Sequence, residues 1–212
     1  MTSELVHIFN IKNFHEKKKT IIVLGAPRGG TSLISGVLSI LGIYMGDVRG
    51  GQQEDHLISK YSKDLSVSGK RKILIDNIIN VIEDRNSNYD IWGWKLPKTV
   101  YFINEVMPHL VNPYFIVIYR NPYAIAQSAS MRGNRIFDFQ LLSVPINHYK
   151  IMHDFLSKCT APILVTSFDM VLNREEQLIN SIISFLNIRV NNNDIKKAIE
   201  FCNYDGGYKK TS

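Results

Sequence analysis

The chain has 212 residues, 45% of them hydrophobic and 21% charged, which suits one folded domain with a sizeable core and excludes a disordered chain. Its formal charge of +6 fits a polyanionic ligand or acidic lipid. No long basic array with interleaved aromatics appears, so nucleic acid is not expected as a partner.

In chain order, residues 1–19 read as an N-terminal arm, either a short helix or a loose segment. Lys17-Lys18-Lys19 reads as a solvated lead-in to the first strand. Strand-like apolar runs follow at 20–25, 91–95, 114–119 and 162–166. Helical spacing of apolar residues marks 30–42, 55–66, 70–84, 98–110, 122–132, 138–158, 174–187 and 193–202. Gly46 to Gln53, with three glycines, is the most loop-like stretch. Asn86–Asp90 and Asn191–Asp194 read as polar turns, and 203–212 as a mobile tail. Strands alternating with helices predict an α/β fold over 1–212: a three-layer α/β/α sandwich with a mainly parallel sheet. Ligands in such sheets bind beyond the carboxyl ends of the strands.

Cys159 and Cys202 are the only cysteines and form no C-x-x-C pair, so neither a disulfide framework nor a metal site is expected. No apolar stretch approaches the ~20 residues that cross a bilayer, and residues 1–19 lack a signal-peptide core. A cytoplasmic protein without a membrane span is expected.

Two stretches carry phosphate chemistry. Gly25-Ala26-Pro27-Arg28-Gly29-Gly30-Thr31-Ser32 follows the first strand and fits the frame of a phosphate loop. Thr31 stands where a nucleotide triphosphatase needs lysine, which argues against ATP or GTP hydrolysis. Arg28 restores a positive charge three residues earlier. Gly29 and Gly30 let the backbone approach an anion, and the helix beginning near Gly30 turns its free amides and positive dipole end toward it. Thr31 and Ser32 add hydroxyl donors. The second stretch is Arg120-Asn121-Pro122, after the strand 114–119, with Ser128 on the next helix. Arg28, Lys95 and Arg120 all fall at or just after the end of a strand-like run, so three cations are expected on one rim.

The first stretch resembles the 5′-phosphosulfate loop of sulfotransferases that use 3′-phosphoadenosine 5′-phosphosulfate (PAPS). Tyr119-Arg120-Asn121-Pro122-Tyr123-Ala124-Ile125-Ala126-Gln127-Ser128 resembles that family's 3′-phosphate segment, an arginine followed by a serine eight residues on. Trp92-Gly93-Trp94-Lys95-Leu96-Pro97 looks like a tract of many bacterial members. Leu164-Val165-Thr166-Ser167-Phe168-Asp169 is similar to a later strand that often ends in Tyr-Glu-Asp. The resemblance spans residues 20–187. It implies a phosphate-loop-like fold and PAPS as co-substrate, with Arg28, Gly29, Gly30, Thr31, Ser32, Arg120, Ser128 and Phe168 around the nucleotide. Phe168, where the family often has tyrosine, is expected either to flank adenine or to sit in the core.

The same resemblance implies sulfuryl transfer to a small-molecule, carbohydrate or lipid acceptor. Arg28 and the loop amides would neutralise the 5′-phosphate, and Lys95 would stabilise the leaving group or orient the sulfate. The cytosolic pattern has a histidine base where this chain has Pro97, so that base does not carry over. Glu54 is the first alternative and His56 the second. Of Trp92 and Trp94, one indole is expected in the core and the other toward the acceptor. A phosphate-loop small-molecule kinase and a catalytically silent nucleotide-binding relative are the competing readings.

Overall fold

The computed structural model describes residues 4–11, 16–48, 53–67 and 69–203. Four parallel strands form the body of one sheet: β2 (Lys19–Leu24), β3 (Ile91–Lys95), β4 (Pro113–Tyr119) and β5 (Ile163–Ser167). They follow the expected strand runs to within a residue. A fifth strand, β1 (Val6–Phe9), pairs antiparallel with β5, and the spatial order is β1-β5-β4-β2-β3. The arm expected to be helical or loose is therefore an edge strand over Val6–Phe9. Main-chain pairing, the Thr166 hydroxyl, which donates to the Leu5 carbonyl at 2.9 Å, the buried Leu5 side chain and Asn10 Nδ2, which donates to the Cys159 carbonyl at 2.8 Å, hold it there. Its side chains are mostly exposed, so no apolar run announces it. Residues 1–3, 12–15 and 204–212, parts of the expected arm and tail, lie outside the described residues.

Every residue of β2 is buried, because helices cover both faces of a parallel sheet. One face packs α1 (Thr31–Ile40), α8 (Glu175–Leu186) and α9 (Asn192–Asn203) around Ile21, Val23, Ile116 and Leu164. The other packs α3 (Arg71–Asn88), α4 (Ile103–Val106) and α6 (Phe139–Leu156) around Ile22, Phe115, Trp94 and Val117. The remaining helices are α2 (His56–Ser62), α5 (Pro122–Gly133) and α7 (Phe168–Val171).

Four local expectations change. Lys19 is not solvated: it is buried, donates from Nζ to the Leu186 carbonyl at 2.6 Å, and lies over the Tyr114 ring. The helix expected over 98–110 is broken into a 3-10 turn (Pro97–Tyr101), α4 and a second 3-10 turn (Met107–His109). Pro97 and Pro108 lack the N–H that a continuous helix needs. The polar run at Asn86–Asp90 is not all turn, since α3 continues to Asn88. Asn86 is satisfied by tertiary partners: its Oδ1 accepts from Trp92 Nε1 at 3.0 Å and its Nδ2 donates to the His109 carbonyl at 2.9 Å. At the other polar run, Asn191 caps α9 by accepting from Asp194 N at 2.9 Å.

Candidate functional site

The glycine turn joins β2 to α1 at the carboxyl edge of the sheet. Gly30 is the N-cap of α1 at φ 95, and a side chain there would meet the Phe168 ring at 2.4 Å. Only glycine suits both demands. Arg28 adopts the left-handed region at φ 68, which is uncommon for a side-chain-bearing residue and marks turns built for a purpose. The first turn of α1 contains no acidic residue, and Gly30 supplies no side-chain cap. The positive end of the helix therefore carries no acidic side chain of its first turn and could hold an anion. Thr31 is buried and Ser32 half-buried at this end.

The second motif lands on the first. Arg120 leaves the end of β4 and donates from Nη1 to the Arg28 carbonyl at 3.1 Å. Its guanidinium carbon stands 4.6 Å from the centre of the Phe168 ring. Its Nε is buried and has no hydrogen-bond partner among the described residues. Ser128, one face of α5 later, accepts from Arg28 Nη2 at 3.2 Å and Nε at 3.4 Å. Asn121 starts α5 by accepting from Tyr123 N at 2.8 Å. Phe168 is buried, and Arg120 rather than open space covers its face. The geometry makes it a platform for the guanidinium, in line with the core alternative of its two expected roles.

Lys95 ends β3 and is only 2% exposed. Its Nζ lies 3.3 Å from Glu54 Oε1, an ion pair. Burial lowers the Lys95 pKa below its ordinary value; the Glu54 carboxylate pulls it back up, and the nearby Arg28 charge adds to the lowering. Lys95, Glu54 and Arg28 are therefore neighbours. His56 opens α2 and donates its backbone N–H to the Asp47 carbonyl at 2.8 Å. Among the described residues its imidazole makes no hydrogen bond to Glu54 or Lys95, so of the two candidate bases Glu54 is the one paired with Lys95. Trp92 and Trp94 are both in the core, with Nε1 atoms satisfied by Asn86 and by Thr99. Residues two apart point to the same face of a strand, so neither indole turns to the acceptor side as expected.

Three groups escaped sequence reasoning. Tyr149, on α6, clamps Arg120: its hydroxyl accepts from Arg120 N and donates to Arg120 O, each at 2.9 Å. Burial pushes its pKa up to about 12, so the phenol stays protonated. His148 is buried beside Gly25, and burial holds its imidazole neutral down to about pH 4 against a weaker pull from the Gly25 backbone. Asp55, fully buried, caps α2 through Ile58 N at 2.7 Å, accepts from Asp47 N at 3.1 Å and pairs with Arg85 Nη2 at 2.6 Å. This knot ties down both ends of the loop that bears Glu54. Gly46 must be glycine there, since a side chain would overlap the Asp55 carboxylate at 1.8 Å. Residues 49–52 of the expected glycine-rich loop lie outside the described residues. A cofactor-sized polyanion would be held by Arg28, Arg120 and the α1 amides. Among the described residues no group of three His, Cys, Asp or Glu side chains converges on a metal position.

No protein-family model matches the sequence, and no curated protein matches it. Solved structures do. The sulfotransferase domain of the Synechococcus PCC 7002 olefin synthase is similar at TM-score 0.62 and 13% identity, over 88% of this chain and 79% of its own. The sulfotransferase domain from the curacin biosynthetic pathway is similar at TM-score 0.58 and 14% identity, over 85% and 77%. A sulfotransferase from Mycobacterium avium is similar at TM-score 0.54 and 10% identity, over 89% and 69%. The glycine turn, parallel sheet and convergent cations described above thus sit in a scaffold shared over most of its length, and the chain is a protein of the sulfotransferase fold.

Proposed function

We propose that this protein is a sulfotransferase that uses PAPS and passes its sulfuryl group to a hydroxyl or amine acceptor. One observation carries the reading: Arg120 reaches the backbone of the glycine turn itself, at 3.1 Å from the Arg28 carbonyl, so the two phosphate motifs share one site. One nucleotide with phosphates on both sides of its ribose suits a rim with two arginines and an open helix end. PAPS supplies the activated sulfuryl group. Arg28 and the amides of residues 29–32 bind the 5′-phosphate side, and a 3′-phosphate takes Arg120 and Ser128. Because Arg28 now bonds Ser128, binding exchanges that contact for phosphate.

Lys95 neutralises charge that gathers on the departing phosphate oxygen. Glu54 takes the acceptor's proton, and the Lys95 ion pair holds its carboxylate at the site beforehand. Tyr149 and Phe168 fix Arg120 from two sides. The acceptor is a small molecule, a carbohydrate or a lipid. Cys159 and Cys202 form no disulfide, which suits a reducing, cytoplasmic setting.

Calorimetry with 3′,5′-adenosine bisphosphate and with ATP–magnesium tests the reading. Tight binding of the bisphosphate and weak binding of ATP is the expected result; the reverse would point to a phosphate-loop kinase. Turnover of labelled PAPS with an acceptor panel then separates an enzyme from a silent binder. Glu54→Gln is expected to lower that turnover and leave bisphosphate affinity unchanged.

A further inference from the structure

The tip of the α5–α6 hairpin carries an exposed apolar and cationic cluster. All ten residues from Met131 to Gln140 are exposed. Ile136 is 90% exposed, Phe139 85% and Met131 71%. Phe137 and Tyr123 add two more exposed rings, packed together with centroids 5.2 Å apart. Single exposed apolar residues are ordinary, but a cluster of large ones marks a contact surface.

The tip is a built structure. Asn134, at φ 47, closes α5 in the left-handed conformation that asparagine tolerates. Arg135 N donates to the Ser130 carbonyl at 3.0 Å, and the Ser130 hydroxyl donates to the Arg135 carbonyl. Asp138 caps α6 by accepting from Leu141 N at 2.8 Å. Backbone hydrogen bonding thus fixes the turn that carries the exposed apolar side chains.

Charge selects the occupant. From Arg120 to Lys150 the only carboxylate is Asp138, committed to its cap, while Arg132 and Arg135 flank the apolar side chains. We infer that this tip docks on an anionic lipid bilayer, with Met131, Ile136, Phe137 and Phe139 entering the acyl boundary and Arg132 and Arg135 at phosphate level. A second copy is the poorer partner, because a two-fold contact would press these guanidiniums against their own kind. No helix among the described residues is long and apolar enough to cross a membrane, so the contact is peripheral. Phe137 returns the tip to Tyr123, three residues from Arg120, and so the proposed catalytic rim stays near the lipid surface.

Sedimentation with vesicles of phosphatidylcholine alone and of phosphatidylcholine mixed with phosphatidylglycerol tests this. The anionic vesicles are expected to carry the protein down, the neutral ones far less, and added salt to weaken the binding. The double variant Ile136→Asp/Phe139→Asp should lose at least about tenfold in partitioning. Arg132→Gln/Arg135→Gln should lose roughly tenfold on anionic vesicles and little on neutral ones. Both pairs are exposed, so unchanged melting temperature and unchanged 3′,5′-adenosine bisphosphate affinity keep fold and nucleotide site out of the result. Failure of wild type to bind nucleotide would sink the proposed function and leave the docking result standing. Wild type left in the supernatant with anionic vesicles overturns the inference. So does an Asp double variant that sediments like wild type, or a wild-type dimer or peptide complex that the variant breaks without any vesicle binding.

Discussion

Two arginines in this molecule look alike and are built for opposite ends. Arg85 and Arg120 each rest on aromatic faces, and each has one buried nitrogen without a partner among the described residues. Arg85 also has a fully buried carboxylate, Asp55, at 2.6 Å. Arg120 has only a backbone carbonyl and a tyrosine hydroxyl clamping its main chain, and no carboxylate among the described residues. A buried cation with its anion in place is a structural tie. Under the proposed function, a cation held still beside a helix end without a side-chain cap, with no carboxylate partner among the described residues, takes an anion that arrives from outside.

That contrast has a clear breaking point. Asp55→Ala leaves the Arg85 charge buried and uncompensated, so it is expected to cost about 3–5 kcal/mol of stability in urea denaturation. A loss below about 1 kcal/mol would mean that Arg85 finds water and that the pair is no tie.

A third buried nitrogen without a partner among the described residues, His148 Nε2, extends the series to a neutral group. Its pKa falls from 6.5 to about 4 on folding, because burial penalises the imidazolium. The unfolded chain therefore takes the proton first as pH drops. Stability from this group is full above pH 6.5, declines down to about pH 4, and changes no further below that. The total is on the order of 3 kcal/mol, and His148→Gln should flatten that part of a stability–pH profile. An unchanged slope would assign the acid sensitivity elsewhere.

Arg120→Ala is expected to do the reverse of Asp55→Ala. Folding stability should change little, while 3′,5′-adenosine bisphosphate binds about 1.5–3 kcal/mol more weakly by calorimetry, the range for hydrogen bonds to charged groups. Equal loss in both measurements would erase the distinction between tie and site. The smallest effect belongs to Ser128→Ala, with a loss of about 0.5–1.5 kcal/mol in bisphosphate affinity. A tighter complex would mean that the Arg28–Ser128 contact competes with the ligand more than the serine helps it.

The four parallel strands were legible because strands buried on both faces read as continuous apolar runs. β1 was not, since most of its side chains stay in water and leave no apolar run. Lys19 was misread for a related reason: a lysine at a strand start is solvated by default, and only the Leu186 carbonyl and Tyr114 ring make burial tolerable. Within the candidate site, the glycine turn and Arg120 carry local signals. Tyr149 and the Asp55–Arg85 knot carry none, because their partners lie 29 or more residues away in sequence.

Sequence alone determined the alternation of strands and helices, the glycine-rich turn with its arginine, and the placement of cations at strand ends. Those properties follow from side-chain period, backbone freedom at glycine and charge, all of which are local. The tertiary structure decided what meets what: Arg120 on the Arg28 carbonyl, Glu54 on Lys95, and Phe168 under a guanidinium. Such contacts depend on how strands order themselves in the sheet and how loops return over its edge, and free energies of packing summed over the whole chain set that order.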